Sequence, residues 1–233
     1  AKFLGYAEAR KLVDAWKSDT NLVIFLNADH HKSFESCKEA IDAGYDTVLI
    51  DSSALPLGEN IKEAHKVVDY AKSVNPDTTV EGELGYLKGE SKLQETVEVK
   101  PEDFTKPEQA EEFVEKTGVD RLAVAIGNIH GIAAKQKMMI DFGLLKEIYK
   151  AVPDTFLVLH GGSGLSNDDF KKAIERGVAN IHINTEVRVA YREGLDEKLK
   201  EAPGETTPYK FLEGAVEKMQ EIVEEKVKVF LNV

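Results

Sequence analysis

Three histidines in this sequence follow apolar runs, at positions where imidazole side chains could bind a metal ion. His30 follows LVIFLNAD, His130 lies in AIGNIHG and His160 closes TFLVLH. Three imidazole ligands with a fourth position open form the usual catalytic arrangement of Zn2+. The separations along the chain, 100 and 30 residues, are too long for a local zinc motif, so only the fold could bring the three together. A lone histidine of this kind is more often a hydrogen-bonded structural residue, and the set of three favours a metal.

Four acids accompany these histidines. Asp29 precedes His30, Asp51 ends TVLID, and Glu81 and Glu83 flank the glycine of VEGELG. A carboxylate beside a metal ion can move protons or hold a ligand histidine in place. Strand alternation predicts Glu81 and Glu83 on the same side, unless Gly82 forms a bulge. For Glu81, an acid solvated at the strand end is the alternative interpretation.

The segment GGSGLSNDD, residues 161–169, is a glycine-rich turn that leads into a helix. Backbone N–H groups of such a turn can hold a phosphate, and barrel folds commonly place one after the seventh strand. The alternative is a tight turn that needs glycine only for its dihedral angles.

Two further histidines have less specific settings. His31 follows His30 with its side chain turned the other way by strand alternation, so we expect it to begin the next helix or to support the site. His65 lies in the helical segment KEAHKVV, where a surface or packing role is expected.

The elements that must position these residues alternate between strand and helix along the chain. Strands are predicted at 22–28, 46–50, 78–82, 121–126, 155–159 and 179–183. Helices are predicted at 5–17, 33–43, 59–74, 107–117, 141–151, 166–176, 186–200 and 208–228, and Gly44, Gly118 and Gly177 fit positions just after a helix end. Repeated βα units predict a parallel sheet covered by helices.

The polar residues fall at the carboxyl ends of almost all predicted strands. Such ends converge on one mouth in a TIM (β/α)8 barrel, whereas an open doubly wound sheet would spread them along its edge. We therefore predict a TIM barrel that forms a single domain over residues 1–233. A barrel needs eight strands and six are predicted, so an N-terminal β-α-β segment of about 50 residues is expected to be absent from this sequence.

Composition excludes several classes of protein. The formal charge is −12, and the basic residues are scattered, which argues against nucleic acid as a partner. The apolar runs are too short for a transmembrane helix, so no membrane partner is expected. The single cysteine, Cys37, cannot form an internal disulfide, and a soluble cytoplasmic protein is predicted.

Taken in order, the motifs DH, IDSS, VEGELG, AVAIGNIHG, LVLHGGSG and INTEVR resemble the class II, zinc-dependent fructose-bisphosphate and ketose-bisphosphate aldolases. The resemblance runs from residue 1 to about residue 195. It implies a zinc ion bound by His30, His130 and His160, with Asp51 and Glu83 beside it or forming an alternative metal site. It also implies that Asp29 is the catalytic proton donor and acceptor at the aldehyde or C4-hydroxyl oxygen.

The resemblance assigns further residues to the substrate. A glutamate on a mobile loop removes the carbon-bound proton in this family, and Glu90 fits that role better in spacing than Glu95. His182 stands where the family usually has a substrate-contacting Asn, so the hydrogen bonds there must differ. The phosphate end of dihydroxyacetone phosphate, often with a monovalent cation (Na+ or K+), is matched by Gly131, Gly161, Ser163, Asn184 and Thr185.

The leading hypothesis is therefore an aldolase that cleaves fructose 1,6-bisphosphate or a related ketose bisphosphate. A zinc-dependent hydrolase on the same barrel, or an inactive barrel homologue with a binding role, are the alternatives. Arg188 and Arg192 are candidate contacts to a second phosphate. A homo-oligomer, dimer or tetramer, is expected, and the apolar face of helix 208–228 could pack on its own barrel or on a second subunit.

Overall fold

The computed structural model describes residues 3–231. The strands over this range are β1 (Asn27–His31), β2 (Thr47–Ile50), β3 (Thr79–Leu84), β4 (Gly89–Gln94), β5 (Arg121–Val124), β6 (His130–Ala133), β7 (Phe156–Leu159) and β8 (Val178–Ile181). The helices are α1 (Tyr6–Thr20), α2 (Phe34–Asp42), α3 (Leu57–Val74), α4 (Pro107–Thr117), α5 (Phe142–Ala151), α6 (Asn167–Ile174), α7 (Thr185–Glu201), α8 (Pro208–Phe211) and α9 (Glu213–Leu231). A 3₁₀ turn covers Pro101–Asp103.

The chain forms two compact units. The first consists of the residues up to Tyr86 together with Phe104–Val124 and Glu147–Leu157. The second consists of Leu87–Asp103, Ala125–Lys146 and the residues from Val158 onward.

The first unit is built on a parallel sheet in which β1, β2, β3 and β5 are neighbours in that order. All four residues of β2 are buried, which explains why its sequence, TVLI, is an unbroken run of β-branched and aliphatic side chains. Helix α2 buries Cys37, Ala40 and Ile41, spaced three and four residues apart on one face. The core of this unit therefore lies between the sheet and its helices.

Helix ends in the first unit follow their local sequence. Ser33 precedes α2, and its side chain accepts a hydrogen bond from the Ser36 N–H. Helix α4 begins at Pro107 and ends before Gly118, whose φ of 70° is in the left-handed region that glycine tolerates. Gly44 and Gly177 also have positive φ, which confirms the predicted helix ends.

The second unit holds the end of β7, β8 and a small parallel pair, β4 with β6. The backbone of His182, just after β8, donates to the Leu159 carbonyl at 2.9 Å. Helices α7 and α9 approach closely at glycines, because a Cβ on Gly194 would lie 2.2 Å from the Gly214 carbonyl oxygen. The apolar face of the C-terminal helix thus packs in part within this unit, while Val216 and Val223 are exposed.

The first predicted strand, 22–28, is wrong at its start. Residues 22–26 have no regular structure, and Leu22, Val23 and Phe25 are exposed. The ladder with β2 begins at Asn27, because the Asp46 carboxylate accepts from the Leu26 N–H at 2.6 Å and the Leu26 carbonyl receives the N–H groups of Asp46 and Thr47. The strand then extends to His31, so the acid and both histidines lie within it.

The remaining predicted strands and helices are confirmed, with ends shifted by a few residues. One predicted helix, 208–228, is divided into α8 and α9. Two strands were not predicted, β4 (GESKLQ) and β6 (HGIA). Neither segment has the alternation or the apolar run that marks a strand in the sequence. Most residues of β4 are exposed and therefore need not be apolar, and β6 has only four residues, too few for a pattern. Between residues 3 and 231, no helix is long and apolar enough to cross a membrane.

The tight packing at Gly82 generates a test of the core. A Cβ at this buried strand position would lie 2.5 Å from Cε1 and 2.7 Å from Cζ of Phe113, a ring with no exposed surface. We expect Gly82→Ala to lower the free energy of unfolding by about 1–3 kcal/mol, because Phe113 must leave its position. Urea unfolding followed by circular dichroism measures this change.

Gly58 provides the matched control, because a Cβ there meets nothing within 4 Å. Gly58→Ala, in the first turn of α3, should change stability by no more than about 0.5 kcal/mol. Equal effects of the two substitutions would contradict the packing described for β3.

Candidate functional site

A bulge in β1 aims His30 at two acids of neighbouring strands. The register with β2 shifts between Ala28 and His31, and His30 has a φ of 50°, in the left-handed region that non-glycine residues rarely adopt. Bulges commonly redirect a side chain near functional sites. Here the redirected imidazole lies 2.9 Å from Asp51 and 3.7 Å from Glu83.

Asp51 is the central acceptor of this cluster. Its Oδ2 accepts from Nδ1 of His30 and contacts the ammonium group of Lys32, while its Oδ1 accepts from the Ser53 hydroxyl at 2.8 Å. Burial alone would raise the pKa of Asp51, but its hydrogen bonds to His30, Lys32 and Ser53 hold that pKa well below the ordinary value. Asp51 is therefore an anion that orients the imidazole.

Glu83 is the second buried acid, 2% exposed. Its Oε1 accepts from the Ser53 hydroxyl at 3.3 Å, and its Oε2 accepts no hydrogen bond from any residue between 3 and 231. Burial, and after it the nearby charge of Asp51, raise the pKa of Glu83 from 4.5 to about 8. The backbone carbonyl of Glu83 is held by Asn60 of α3, at 2.9 Å.

The imidazole of His30 is influenced in both directions. Burial lowers its pKa, but the hydrogen bond to Asp51 and the charge of Asp29 raise it above the ordinary value. Asp29 is exposed, with a carboxylate oxygen 4.0 Å from Nε2 of His30. The predicted neighbourhood of Asp29, His30, Asp51 and Glu83 is therefore present in the first unit.

This cluster has the donor set of a cation site. One ring nitrogen of His30 and one oxygen each of Asp51 and Glu83 all lie within 4.8 Å of one another. A bound cation would give the buried Oε2 of Glu83 a ligand-bond partner. Burying this oxygen without a partner lowers the stability of the folded chain. Nitrogen and carboxylate oxygen are both ligands of Zn2+. The residues of the first unit thus fit a divalent metal.

The second unit brings three imidazoles together. The ring centroids of His130 and His160 are 6.2 Å apart, and those of His160 and His182 are 4.1 Å apart. Asn128 holds the backbone of His160 in place. Its side-chain oxygen accepts from the Ile126 N–H at 2.8 Å, and its side-chain nitrogen donates to the His160 carbonyl at 2.9 Å. Asn128 follows the predicted strand 121–126 in the sequence.

The glycine-rich turn after β7 is tied to the start of α7. The Ser163 hydroxyl accepts from the N–H groups of Asn184 and Glu186, at 3.3 and 3.2 Å. Gly161 has a φ of 65°, and a Cβ there would lie 2.0 Å from the Ile129 carbonyl oxygen, so glycine is required for packing as well as conformation. Ser166 directly precedes α6 and forms a capping box with Asp169.

The predicted loop base and the arginines lie on or near β4. Glu90 is exposed and pairs with Lys92 at 2.8 Å, while Glu95 pairs with Lys135 at 3.0 Å. Arg188 of α7 donates to the Ser91 carbonyl at 2.8 Å. Arg192 instead pairs with Asp196 on its own helix.

Three other expectations, for Glu81, His31 and His65, can be compared with the structure. Glu81 is fully buried, 3.4 Å from Arg121, so the solvated alternative for this acid is wrong. His31 ends β1 and bonds to the Tyr6 hydroxyl at 2.6 Å, whereas α2 begins three residues later behind its own cap. His65 lies half exposed on α3, as predicted.

Three functional neighbours were missed by sequence reasoning. Lys32 directly follows the two histidines and Ser53 lies in IDSS, so their positions beside the motifs could have indicated them. Asn60 carried no such indication, because an amide in a helical segment is typical of an exposed position.

Comparisons with known proteins identify the family of this chain. The family described as fructose-bisphosphate aldolase class-II matches residues 1–233. A fructose-bisphosphate aldolase of Staphylococcus epidermidis is 38% identical over 228 residues, which are 97% of this chain and 77% of that protein. The fructose-bisphosphate aldolase of Staphylococcus aureus is 37% identical over 230 residues, with the same shares. The chain belongs to the class II fructose-bisphosphate aldolase family.

A solved structure extends the likeness to the fold. The crystal structure of the YdjI aldolase of Escherichia coli K12 has a TM-score of 0.79 at 31% identity, covering 97% of this chain and 76% of that one. Aldolases of this family have the TIM-barrel fold, which confirms the predicted fold class over the open doubly wound sheet. Class II aldolases are zinc-dependent lyases, and this chain is accordingly an enzyme of the lyase class.

The buried carboxyl of Glu83 generates a pH prediction for the EDTA-treated protein. With a pKa of about 8 when folded and 4.5 when unfolded, Glu83 keeps a proton on folding that the unfolded chain releases. Stability therefore falls as pH rises from about 4.5 to about 8, by up to about 1.4 kcal/mol per pH unit for this group. Glu83→Gln should remove that slope, as measured by urea unfolding across the window.

Glu98 is the control, since its side chain is 82% exposed. Glu98→Gln should reproduce the pH profile of the wild-type chain. A Glu83→Gln profile parallel to wild type would show that Glu83 ionises normally in the folded state.

Proposed function

We propose that this enzyme cleaves fructose 1,6-bisphosphate, or a related ketose bisphosphate, to dihydroxyacetone phosphate and an aldehyde, glyceraldehyde 3-phosphate. The observation that carries the proposal is the cluster of His30, Asp51 and Glu83, an oriented imidazole beside a buried carboxylate oxygen, in a chain of the class II aldolase family. The staphylococcal relatives, which are fructose-bisphosphate aldolases, support this choice of substrate.

His30, His130 and His160 are the proposed zinc ligands. The chemistry of the donors supports this choice, because each offers an imidazole at or just after a strand. Asp51 orients His30, and Glu83 provides an additional carboxylate or an alternative metal position. When bound, zinc would supply Lewis-acid polarisation of the substrate carbonyl.

The proton transfers are assigned to two carboxylates of the chain. Asp29 accepts the proton of the C4 hydroxyl, the C3–C4 bond breaks, and its electron pair is delocalised toward the C2 carbonyl. Glu90 then delivers a proton to C3, which completes dihydroxyacetone phosphate. The exposure of Asp29 and of Glu90 suits groups that must meet a substrate and exchange protons with solvent.

The phosphate end of the substrate is assigned to the glycine-rich turn and the start of α7. Helix N-termini favour anions because their N–H groups point outward and the helix dipole is positive there. A monovalent cation, Na+ or K+, is proposed beside the phosphate, as the family resemblance implies. The residues proposed to hold this end are Gly131, Gly161, Ser163, His182, Asn184 and Thr185.

Two further properties belong to the same proposal. A cytoplasmic location is supported by the single cysteine, Cys37, which is buried and unpaired. A homo-oligomer, dimer or tetramer, is supported by the exposed stripe of Val216, Val223 and Val227 on α9.

The division of roles between Asp29 and His130 tests the proposal. Asp29→Ala should retain zinc but lose about 10²–10⁴ in the rate of fructose 1,6-bisphosphate cleavage, because only the proton transfer is removed. His130→Ala should lose zinc and cleavage together, because a metal ligand is gone. Zinc content by plasma emission spectrometry and a coupled assay for dihydroxyacetone phosphate measure the two quantities.

His65→Ala is the control, a half-exposed histidine on α3 that should leave zinc content and rate unchanged. EDTA should abolish cleavage by wild type, and added zinc should restore it. Cleavage that survives EDTA, or a fully active Asp29→Ala enzyme, would contradict the mechanism. Hydrolysis of phosphate esters without release of dihydroxyacetone phosphate would favour the metal hydrolase, and zinc-loaded protein with no turnover would favour the inactive homologue.

A further inference from the structure

A nearly buried ion pair lies behind the glycine-rich turn of the second unit. Lys226 of α9 lies 3.2 Å from Oε2 of Glu186 in the first turn of α7, and the two side chains are 12% and 16% exposed. The ammonium group also lies 5.4 Å from the centre of the Phe170 ring. A charge pair this shielded from water is costly to break, because the remaining partner would be left desolvated.

Glu186 joins this pair to the turn itself. Its other carboxylate oxygen accepts from the Gly164 N–H at 2.6 Å. Its backbone N–H donates to the Ser163 hydroxyl at 3.2 Å, and Ser163 also receives the Asn184 N–H. The turn is thus held to α7 from both directions by one glutamate and one serine.

A carboxylate in this position carries an electrostatic cost for an anion site. Glu186 lies within hydrogen-bond distance of the turn, so its negative charge would oppose a phosphate bound at the same backbone. Lys226 is placed to neutralise that charge from the side of α9. Glu186 therefore shapes the turn without imposing its full charge on it.

We propose that Lys226 is a positioning residue for the phosphate end of the substrate, acting through Glu186 on the Gly161–Gly164 turn. The inference rests on the proposed function, which assigns that turn to phosphate. It makes α9, which packs on α6 and α7, a determinant of substrate affinity rather than of chemistry. The effect should appear in phosphate binding and in KM, with kcat nearly unchanged.

The test compares Lys226→Met, Lys226→Arg and Lys228→Met in the intact, zinc-loaded protein. Lys228 is on the same helix with a side chain 66% exposed, so its replacement controls for loss of one positive charge on α9. Titration calorimetry measures the affinity for inorganic phosphate. Steady-state assays with fructose 1,6-bisphosphate give kcat and KM. Scanning calorimetry gives the melting temperature of each variant.

We expect Lys226→Met to weaken phosphate binding and raise KM about tenfold, with kcat within about threefold of wild type. Lys226→Arg, which keeps the charge, should recover both to within about threefold, and Lys228→Met should match wild type. In a Glu186→Ala background, Lys226→Met should weaken phosphate binding less than about threefold, because its partner is absent.

Wild-type phosphate affinity in Lys226→Met, or an equal loss in Lys228→Met, would overturn the inference, as would a wild-type protein that binds no phosphate. A fall in kcat with unchanged KM would also overturn the inference. So would a loss of activity in Lys226→Met that is fully explained by a lower melting temperature. If wild type binds phosphate but cleaves no ketose bisphosphate, the proposed function fails while the phosphate titrations still decide the role of Lys226.

Discussion

The hydrogen bond between His30 and Asp51 is the interaction on which the candidate metal site of the first unit depends. It requires a bulge that breaks the alternation of β1, a backbone conformation at His30 that few residues adopt, and a carboxylate at the end of the next strand. The ladder resumes immediately, because the Asp51 N–H donates to the His31 carbonyl at 2.8 Å. The strain at His30 is thus compensated by pairing on both sides of it, as expected where local strain serves a function.

The two units differ in the charged and polar groups that their candidate sites present. In the first, two buried acids lie beside one imidazole, and Lys32 and Ser53 keep Asp51 ionised while Glu83 retains its proton. In the second, backbone N–H groups and a helix N-terminus offer positive potential, and Glu186, which bonds to the turn, is matched by Lys226. A cation would suit the first set of residues and an anion the second, which agrees with the needs of an aldol cleavage on a phosphorylated ketose.

Much of this could be predicted from the sequence because buried parallel strands have a simple signature. TVLI and FLVL are continuous apolar runs, and the polar residue after each, Asp51 and His160, was expected at the site. The apolar run LVIFLNA predicted a strand that starts too early. The Leu26 N–H donates to the Asp46 carboxylate, and pairing with β2 begins only at Asn27. The bulge that turns His30, the short strands β4 and β6, and the support from Asn60 and Lys226 depend on contacts between distant segments, and no local pattern encodes them.

An aldolase breaks and forms a carbon–carbon bond next to a carbonyl, and in the direction of bond formation it must remove a proton from C3 of dihydroxyacetone phosphate. The most direct measurement is the exchange of solvent deuterium into dihydroxyacetone phosphate, followed by proton NMR with no aldehyde present. We expect exchange at one C3 hydrogen in the zinc-loaded enzyme, its loss in EDTA, and its return on addition of zinc. Absence of exchange in fully zinc-loaded protein, or exchange that persists in EDTA, would contradict the proposed mechanism.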